Sequence, residues 1–133
     1  MENQGQIDSE LDDLVRSHDA HNNRFFNGDP DFEIWAQDDA VTLHGGFGES
    51  GRGWAQVQRI LRGAASRLSE GRMTFTPIGG QIMGDLAYLV GLEQGTVRLN
   101  GGPPQPMKLK VTTILRRSEG RWLRLHRHGE IVR

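Results

Sequence analysis

The sequence predicts an α+β domain, with helices packed on one face of a curved, mainly antiparallel sheet. Three observations carry that reading. Apolar residues in the first half recur with helical spacing. From Arg72 onward the pattern changes to long runs biased toward β-branched and aromatic residues, broken by Gly, Pro and Asn. The chain then closes on Val111 to Glu130, where VTTIL and RWLRLH flank Ser118-Glu119-Gly120 and read as a hairpin with a short glycine turn. A length of 133 residues fits one domain, 1–133, able to bury its own core, with residues 1–6 as a flexible tail. Cysteine is absent, so disulfides, thiolate metal sites and cysteine nucleophiles are excluded.

Taken in order, Ile7, Leu11, Leu14, Val15, His18, Asn22, Phe25 and Phe26 form one helical stripe. His18 lies in its middle and is expected as a hydrogen-bonded core residue, while His21 lies at its edge. Asn27-Gly28-Asp29-Pro30 stops this helix: Gly suits the left-handed C-terminal position, Asp29 can cap and Pro30 fits a new first turn. Asp31 to Ala36 then predicts a short second helix carrying Phe32 and Trp35. Ala40 to His44 alternates as a strand, with Val41 and Leu43 on one face and Thr42 and His44 on the other. Gly45 to Gly53 holds five glycines in nine residues. It lacks the Gly-Lys-Ser/Thr of a phosphate loop and any G-x-G-x-x-G in a βαβ setting, so it reads as a mobile loop at the mouth of a cavity. Gly53 to Glu70 is the third helix, its apolar arc made by Trp54, Val57, Ile60, Leu61, Ala64, Ala65 and Leu68. Five strand-like runs follow: Met73–Ile78, Gln81–Met83, Asp85–Leu99, Met107–Arg117 and Trp122–Val132. Gly91 and Gly95 inside the third of these suggest a bend or bulge, as a strongly curved sheet needs.

A net charge of −1 hides an asymmetry: residues 1–39 hold 11 acids against Arg16 and Arg24, and residues 40–133 hold 6 acids against 14 Lys and Arg. The expectation is an acidic helical layer over a basic sheet, or over the basic face of a partner subunit. The basic residues are dispersed among apolar ones and stacking aromatics are scarce, which argues against a nucleic-acid surface. No run approaches the length of a membrane span, and the acidic N-terminus has no signal-peptide core, so the expected location is cytoplasmic.

Strand alternation in the closing hairpin places Trp122, Arg124, His126 and His128 on one face and Leu123, Leu125 and Arg127 on the other. Together with the FFNGDPDF corner and the WAQDDAVTLHG entry into the first strand, VTTILRRSEGRWLRLHRHG resembles the SnoaL-like branch of the nuclear transport factor 2-like superfamily, which includes ketosteroid isomerase. The hairpin is also similar to the association domain of calcium/calmodulin-dependent protein kinase II. The likeness runs from about Leu11 to Glu130. It implies a cone-shaped, curved, mixed/antiparallel sheet with three N-terminal-half helices packed on its concave face around a cavity. It also implies a homodimer through the outer sheet face, where Thr112, Ile114, Leu123 and Leu125 are expected. The fold hosts many activities, so activity is argued from the site.

Carried over from ketosteroid isomerase, the base position falls at His44, the tyrosine near His21 and the second carboxylate near Thr113; no residue type matches, so that mechanism does not transfer. A pocket arginine of the kinase association domain falls near Glu93, reversing its charge, which favours a cationic or hydrogen-bond-donating ligand. The main expectation is a small-molecule pocket lined by His21, Trp35, His44, Trp54, Glu93, Thr113, His126 and, at the rim, His128. Catalysis there means cofactor-independent proton transfer of isomerase, cyclase, hydratase or dehydratase type, with His44 as base and His126 with Glu93 as the second proton carrier. Binding without chemistry, as a dimeric association module, is the alternative. A metal held by His126 and His128, completed by His44 or Glu93, is a further one. All of this requires the rings of His44 and His126 to converge on one enclosed hollow.

Overall fold

The computed structural model describes residues 4–133. Helix α1 spans Gln4–Phe25 and helix α2 Trp54–Ala65; the strands are β1 Thr42–His44, β2 Ser50–Arg52, β3 Leu68–Met83, β4 Leu86–Leu99, β5 Pro104–Ser118 and β6 Arg121–Ile131. They form one six-stranded sheet in the order β2-β1-β6-β5-β4-β3. Only β1 against β6 is parallel, so the sheet is mixed, curved and open at both edges. Of the expected tail, residues 1–3 lie outside the described residues, as does the side chain of Ile7, and Gln4 to Gln6 belong to α1.

The α+β cone is as expected, with two helices in place of three. Asp31–Ala36 makes only a single 3-10 turn, Phe32–Ile34, because Trp35 turns extended (φ −101°, ψ 145°) and bridges to Arg124. The last helix also stops earlier than its apolar arc implies. Leu68 pairs with Leu99 and begins β3, so cross-strand pairing overrides a helical pattern that runs to Glu70. The closing hairpin forms as its sequence suggests: Glu119 and Gly120 both have positive φ, the signature of a two-residue turn matched to strand twist.

The expected layering of opposite charge is realised in pairs. Glu10 of α1 meets Arg117 at 2.7 Å, and Asp38 meets Arg116 at 2.5 Å. Edge strand β3 is stitched to α1 by side chains. Asn23 donates to the Met73 carbonyl and accepts from its N–H, and Asp19 accepts the N–H of Phe75. The helix thereby occupies backbone groups of an edge that would otherwise template association.

Apolar side chains gather in three clusters on the concave face. One joins Trp35, Val41, Leu43, Val57 and Leu61 beneath α2; one joins Phe26, Leu68, Met73, Val97 and Leu109; one joins Leu14, Phe75, Ala87, Leu89 and Leu115 beneath α1. Curvature depends on the two strand glycines. Strand β3 shifts register between Ser69 and Arg72 and again between Pro77 and Gly79, and Gly95 and Gly91 face those irregularities. A Cβ on Gly95 would stand 1.9 Å from the Arg72 carbonyl oxygen, and one on Gly91 2.6 Å from the Phe75 ring.

Gly95→Ala should therefore lower stability by roughly 1–3 kcal/mol, the usual range for overpacking. Gly63→Ala, within α2 and with nothing near its added methyl, should raise it by about 0.5–1 kcal/mol. Urea unfolding of the two variants checks both signs.

Candidate functional site

Glu93, on β4, is fully buried (0% exposed) beneath α1. Arg127 of β6 grips it with both terminal nitrogens, Nη2 to Oε1 at 2.7 Å and Nη1 to Oε2 at 2.8 Å. His18 Nε2 donates to Oε2 at 2.8 Å, and the Asn22 amide donates to the same oxygen. Burial alone would push this carboxyl up, but Arg127 and then His18 outweigh it, and Glu93 is held well below the usual carboxylate range. An ionised acceptor requires the hydrogen on His18 Nε2. Burial, the largest effect, and the nearby Arg124 hold the His18 pKa down to about 4 despite the Glu93 bond, so the ring is neutral near pH 7. Its other nitrogen, Nδ1, is therefore an acceptor, and it is buried without a hydrogen-bond partner among the described residues.

Arg124 is a second buried guanidinium in the same network. Its side chain has one hydrogen bond among the described residues, Nη2 to Asn22 Oδ1 at 3.3 Å, and no carboxylate in ion-pair contact. Burial, then repulsion from Arg127, pushes its pKa down to about 9, so it remains a cation at neutral pH. Glu93 is already neutralised by Arg127, and Asp31 acts on Arg124 only through space, so Arg124 has no carboxylate in direct contact among the described residues. A small, partly open hollow of about 40 Å³ lies against it, walled also by Leu14, Ser17, His18, His21, Ile34, Leu115 and Trp122. An open groove walled by Glu10, Asp13, Glu33 and Arg121 leads to it, sharing Ser17, His21 and Trp122. The carboxylates of that mouth are paired in turn with Arg117, Arg16 and Arg24.

A second hollow, about 50 Å³ and almost wholly apolar, lies on the other side of Arg127, between Phe25, Leu43, Ile60, Leu61, Met107 and Ile131. The glycine-rich segment forms its mouth, where Phe47 lies under the Arg67 guanidinium, 3.9 Å from ring centroid to Cζ.

The expected site residues divide between the two faces of the sheet. A β-bulge explains the division: Ile114 pairs with His126 and Leu115 with Arg124, so Leu125 is an extra residue and the alternation of β6 inverts there. Arg124 and Arg127 both turn inward, and His126 and His128 turn outward. His126 and Glu93 consequently do not meet; His18 and Arg127 hold Glu93 instead. His44 and His126 do approach each other, with ring centroids 5.7 Å apart, and His128 lies 5.1 Å from His44, but the cluster is on the convex face. His44 Nδ1 pairs with Ser50 and His126 Nδ1 with Thr42, each at 2.7 Å. Burial, then His44 and His128, holds the His126 pKa below the ordinary histidine range. Among the described residues no group of three His, Asp or Glu side chains is arranged to hold a metal ion.

Trp35 is core, its ring centroid 5.8 Å from the Arg124 guanidinium, and Trp54 packs edge-on against Phe32. Thr113, fully buried, faces inward beside Arg127 with its hydroxyl unpaired among the described residues. His21 alone of the expected set lines the hollow beside Arg124. Leu123 and Leu125 pack toward the Trp35 cluster and not on a free outer face. The cationic ligand expected from Glu93 is disfavoured, because Arg127 cancels that charge and Arg124 adds one. Arg124, Arg127, His18 and Asn22 escape a reading by alternation alone. The available signal was two polar residues, i and i+4, inside an apolar helical stripe.

Residues 19–132 match the family model of the SnoaL-like domain. No curated protein sequence matches the chain. Among solved structures, a ketosteroid isomerase-like protein from Erwinia carotovora atroseptica aligns with a TM-score of 0.71 at 17% identity, over 86% of this chain and 89% of that one. The association domain of calcium/calmodulin-dependent protein kinase II from C. elegans aligns at 0.70 and 15% identity, over 94% and 98%. An NTF-2-like protein of unknown function from Shewanella oneidensis aligns at 0.66 and 19% identity, over 91% and 98%. At these identities the likeness is one of fold.

Because the folded state holds the His18 pKa down from 6.5 to about 4, the unfolded chain takes up a proton there first as pH falls. His18 thus contributes no loss above about pH 6.5, and stability declines through the window from 6.5 toward 4. Chemical denaturation across that window should show a shallower decline in His18→Gln than in the parent chain; equal slopes would place the acid sensitivity elsewhere.

Proposed function

The chain belongs to the SnoaL-like family, and on that footing we propose that the polar hollow beneath α1 binds a small organic anion, best a hydroxy acid. The observation that carries this is Arg124, a buried cation without an ion-pair partner among the described residues, in the wall of a small hollow. Buried charges in proteins are ordinarily paired, since leaving one unpaired costs several kcal/mol. A ligand carboxylate supplies the missing partner through charge-assisted hydrogen bonds. The unpartnered acceptor on His18 adds a second requirement, a hydrogen-bond donor on the ligand, which a hydroxyl meets. The hollow limits the bound portion to a few heavy atoms, and any larger part would lie in the groove against Trp122.

Glycolate and lactate should raise the melting temperature of the parent chain saturably, and acetate less, because it lacks the hydroxyl. Arg124→Met should abolish the shift and Arg124→Lys should retain part of it. A parent chain indifferent to all three acids, or an undiminished shift in Arg124→Met, would refute the anion site.

A second reading concerns the convex face. Two cross-strand rows, Tyr88-Ile114-His126-Thr42 and Val90-Thr112-His128-His44, lie side by side there. Tyr88, Val90, Ile114 and neighbouring Leu92 are half-buried apolar residues on a broad face that no helix covers. We assign this face to a homodimer, with the three imidazoles at its margin. Ile114→Glu should convert the dimer to a monomer in analytical ultracentrifugation; a monomeric parent chain would remove this reading.

A further inference from the structure

We infer that His21 and Asp31 form a general-base pair that makes the polar hollow hydrolytic, acting on small esters and lactones of hydroxy acids. The inference rests on the anion-site reading and goes beyond it to a reaction. His21 lies in the wall of both the small hollow and the open groove, between the proposed ligand site and bulk water. Its Nδ1 donates to Asp31 Oδ2 at 2.5 Å; the Asp31 side chain is 4% exposed and that of His21 23% exposed.

Asp31 is firmly placed. Its backbone is left-handed, its N–H is held by Asp29 Oδ1 at 2.9 Å, and its second oxygen faces Arg24 at 4.0 Å. A carboxylate so fixed keeps the hydrogen on Nδ1 and presents the Nε2 lone pair as the reactive end of the ring. Neither Glu93 nor the His44 cluster offers this combination. Glu93 has its acceptors saturated by four donors, and the outer rings face no closed hollow.

Hydrolysis uses the water that the groove admits. A water gives a proton to His21 Nε2 as its oxygen bonds to the acyl carbon, and the carbonyl electron pair moves onto oxygen beside the Arg124 guanidinium. Collapse restores the carbonyl and breaks the bond to the alkoxy oxygen, which takes the proton back from Nε2. Water is the only co-reactant. From a lactone the product is one hydroxy acid, whose carboxylate and hydroxyl match Arg124 and His18 Nδ1. His21 is the catalytic residue in this scheme and Asp31 its positioning residue.

The test uses δ-valerolactone and methyl lactate with the full chain, following acid release at constant pH. The parent chain should hydrolyse at least one above the buffer rate. His21→Gln should lower kcat/KM by about a hundred-fold or more. Asp31→Asn should lower kcat with KM little changed and flatten the pH profile, and Asp31→Glu should recover part of the loss. Retention of the lactate-induced melting shift in each variant certifies that it is folded and binds. Hydrolysis no faster than buffer in a parent chain that still responds to lactate overturns this inference and leaves the anion site standing. Failure of both measurements takes down the two readings together, and undiminished hydrolysis in His21→Gln overturns the assignment of the base.

Discussion

The arrangement depends on one buried carboxylate. Glu93 sits at the middle of β4 with no exposure, and its desolvation is offset only because two elements meet on it. Arg127 arrives from β6, and His18 and Asn22 arrive from successive turns of α1. Losing a partner would strand a charge in the interior, a penalty of roughly 3–5 kcal/mol, so α1 has one rotation and one height over the sheet. The same ion pair divides the concave side. An apolar hollow lies toward the glycine-rich segment on one side of it, and a polar hollow lies toward the α1 corner on the other. With Glu93 and Arg127 cancelling, the electrostatics of the polar hollow come down to Arg124 and, through space, Asp31.

The fold was largely legible because its determinants are local. The stripe along α1, the glycine turn at Glu119-Gly120 and the glycines facing the β3 irregularities each act over a few residues and agree with the global structure. Two misreadings share a cause. The end of α2 and the 3-10 turn at Phe32–Ile34 were both decided by partners distant in sequence: Leu68 by Leu99 across β3 and β4, and Trp35 by a bridge to Arg124. Periodicity carries no information about such pairings.

The site was much less legible, and one residue accounts for most of the difference. Leu125 is the extra residue of the β6 bulge, and without it strict alternation puts Arg124, His126 and His128 together, with Arg127 opposite. Nothing in RWLRLHRHG marks the bulge, since no glycine sits at that position. Each assignment beyond Leu125 therefore inverts, moving two imidazoles out and one guanidinium in. His44 follows His126 and His128 outward because β1 pairs in parallel with β6 in that register. The convergence of His44 with His126 was readable, and the face on which it occurs was not.

The features that bear on function are those where local preference is violated. Asp31 is left-handed, a conformation that Asp adopts more readily than most residues but that still needs support from its surroundings. Here the support is the Asp29 side chain and the His21 ring, so the corner that ends α1 also delivers a carboxylate to the edge of the hollow. His18 and Asn22 interrupt an apolar stripe for the sake of Glu93, and Arg124 is buried beside them with no ion pair among the described residues. A packed core with no further role would be more stable with apolar residues at several of these positions. Their coincidence around one hollow, with Asp31 held behind the His21 of its wall, is what the proposed ligand site accounts for.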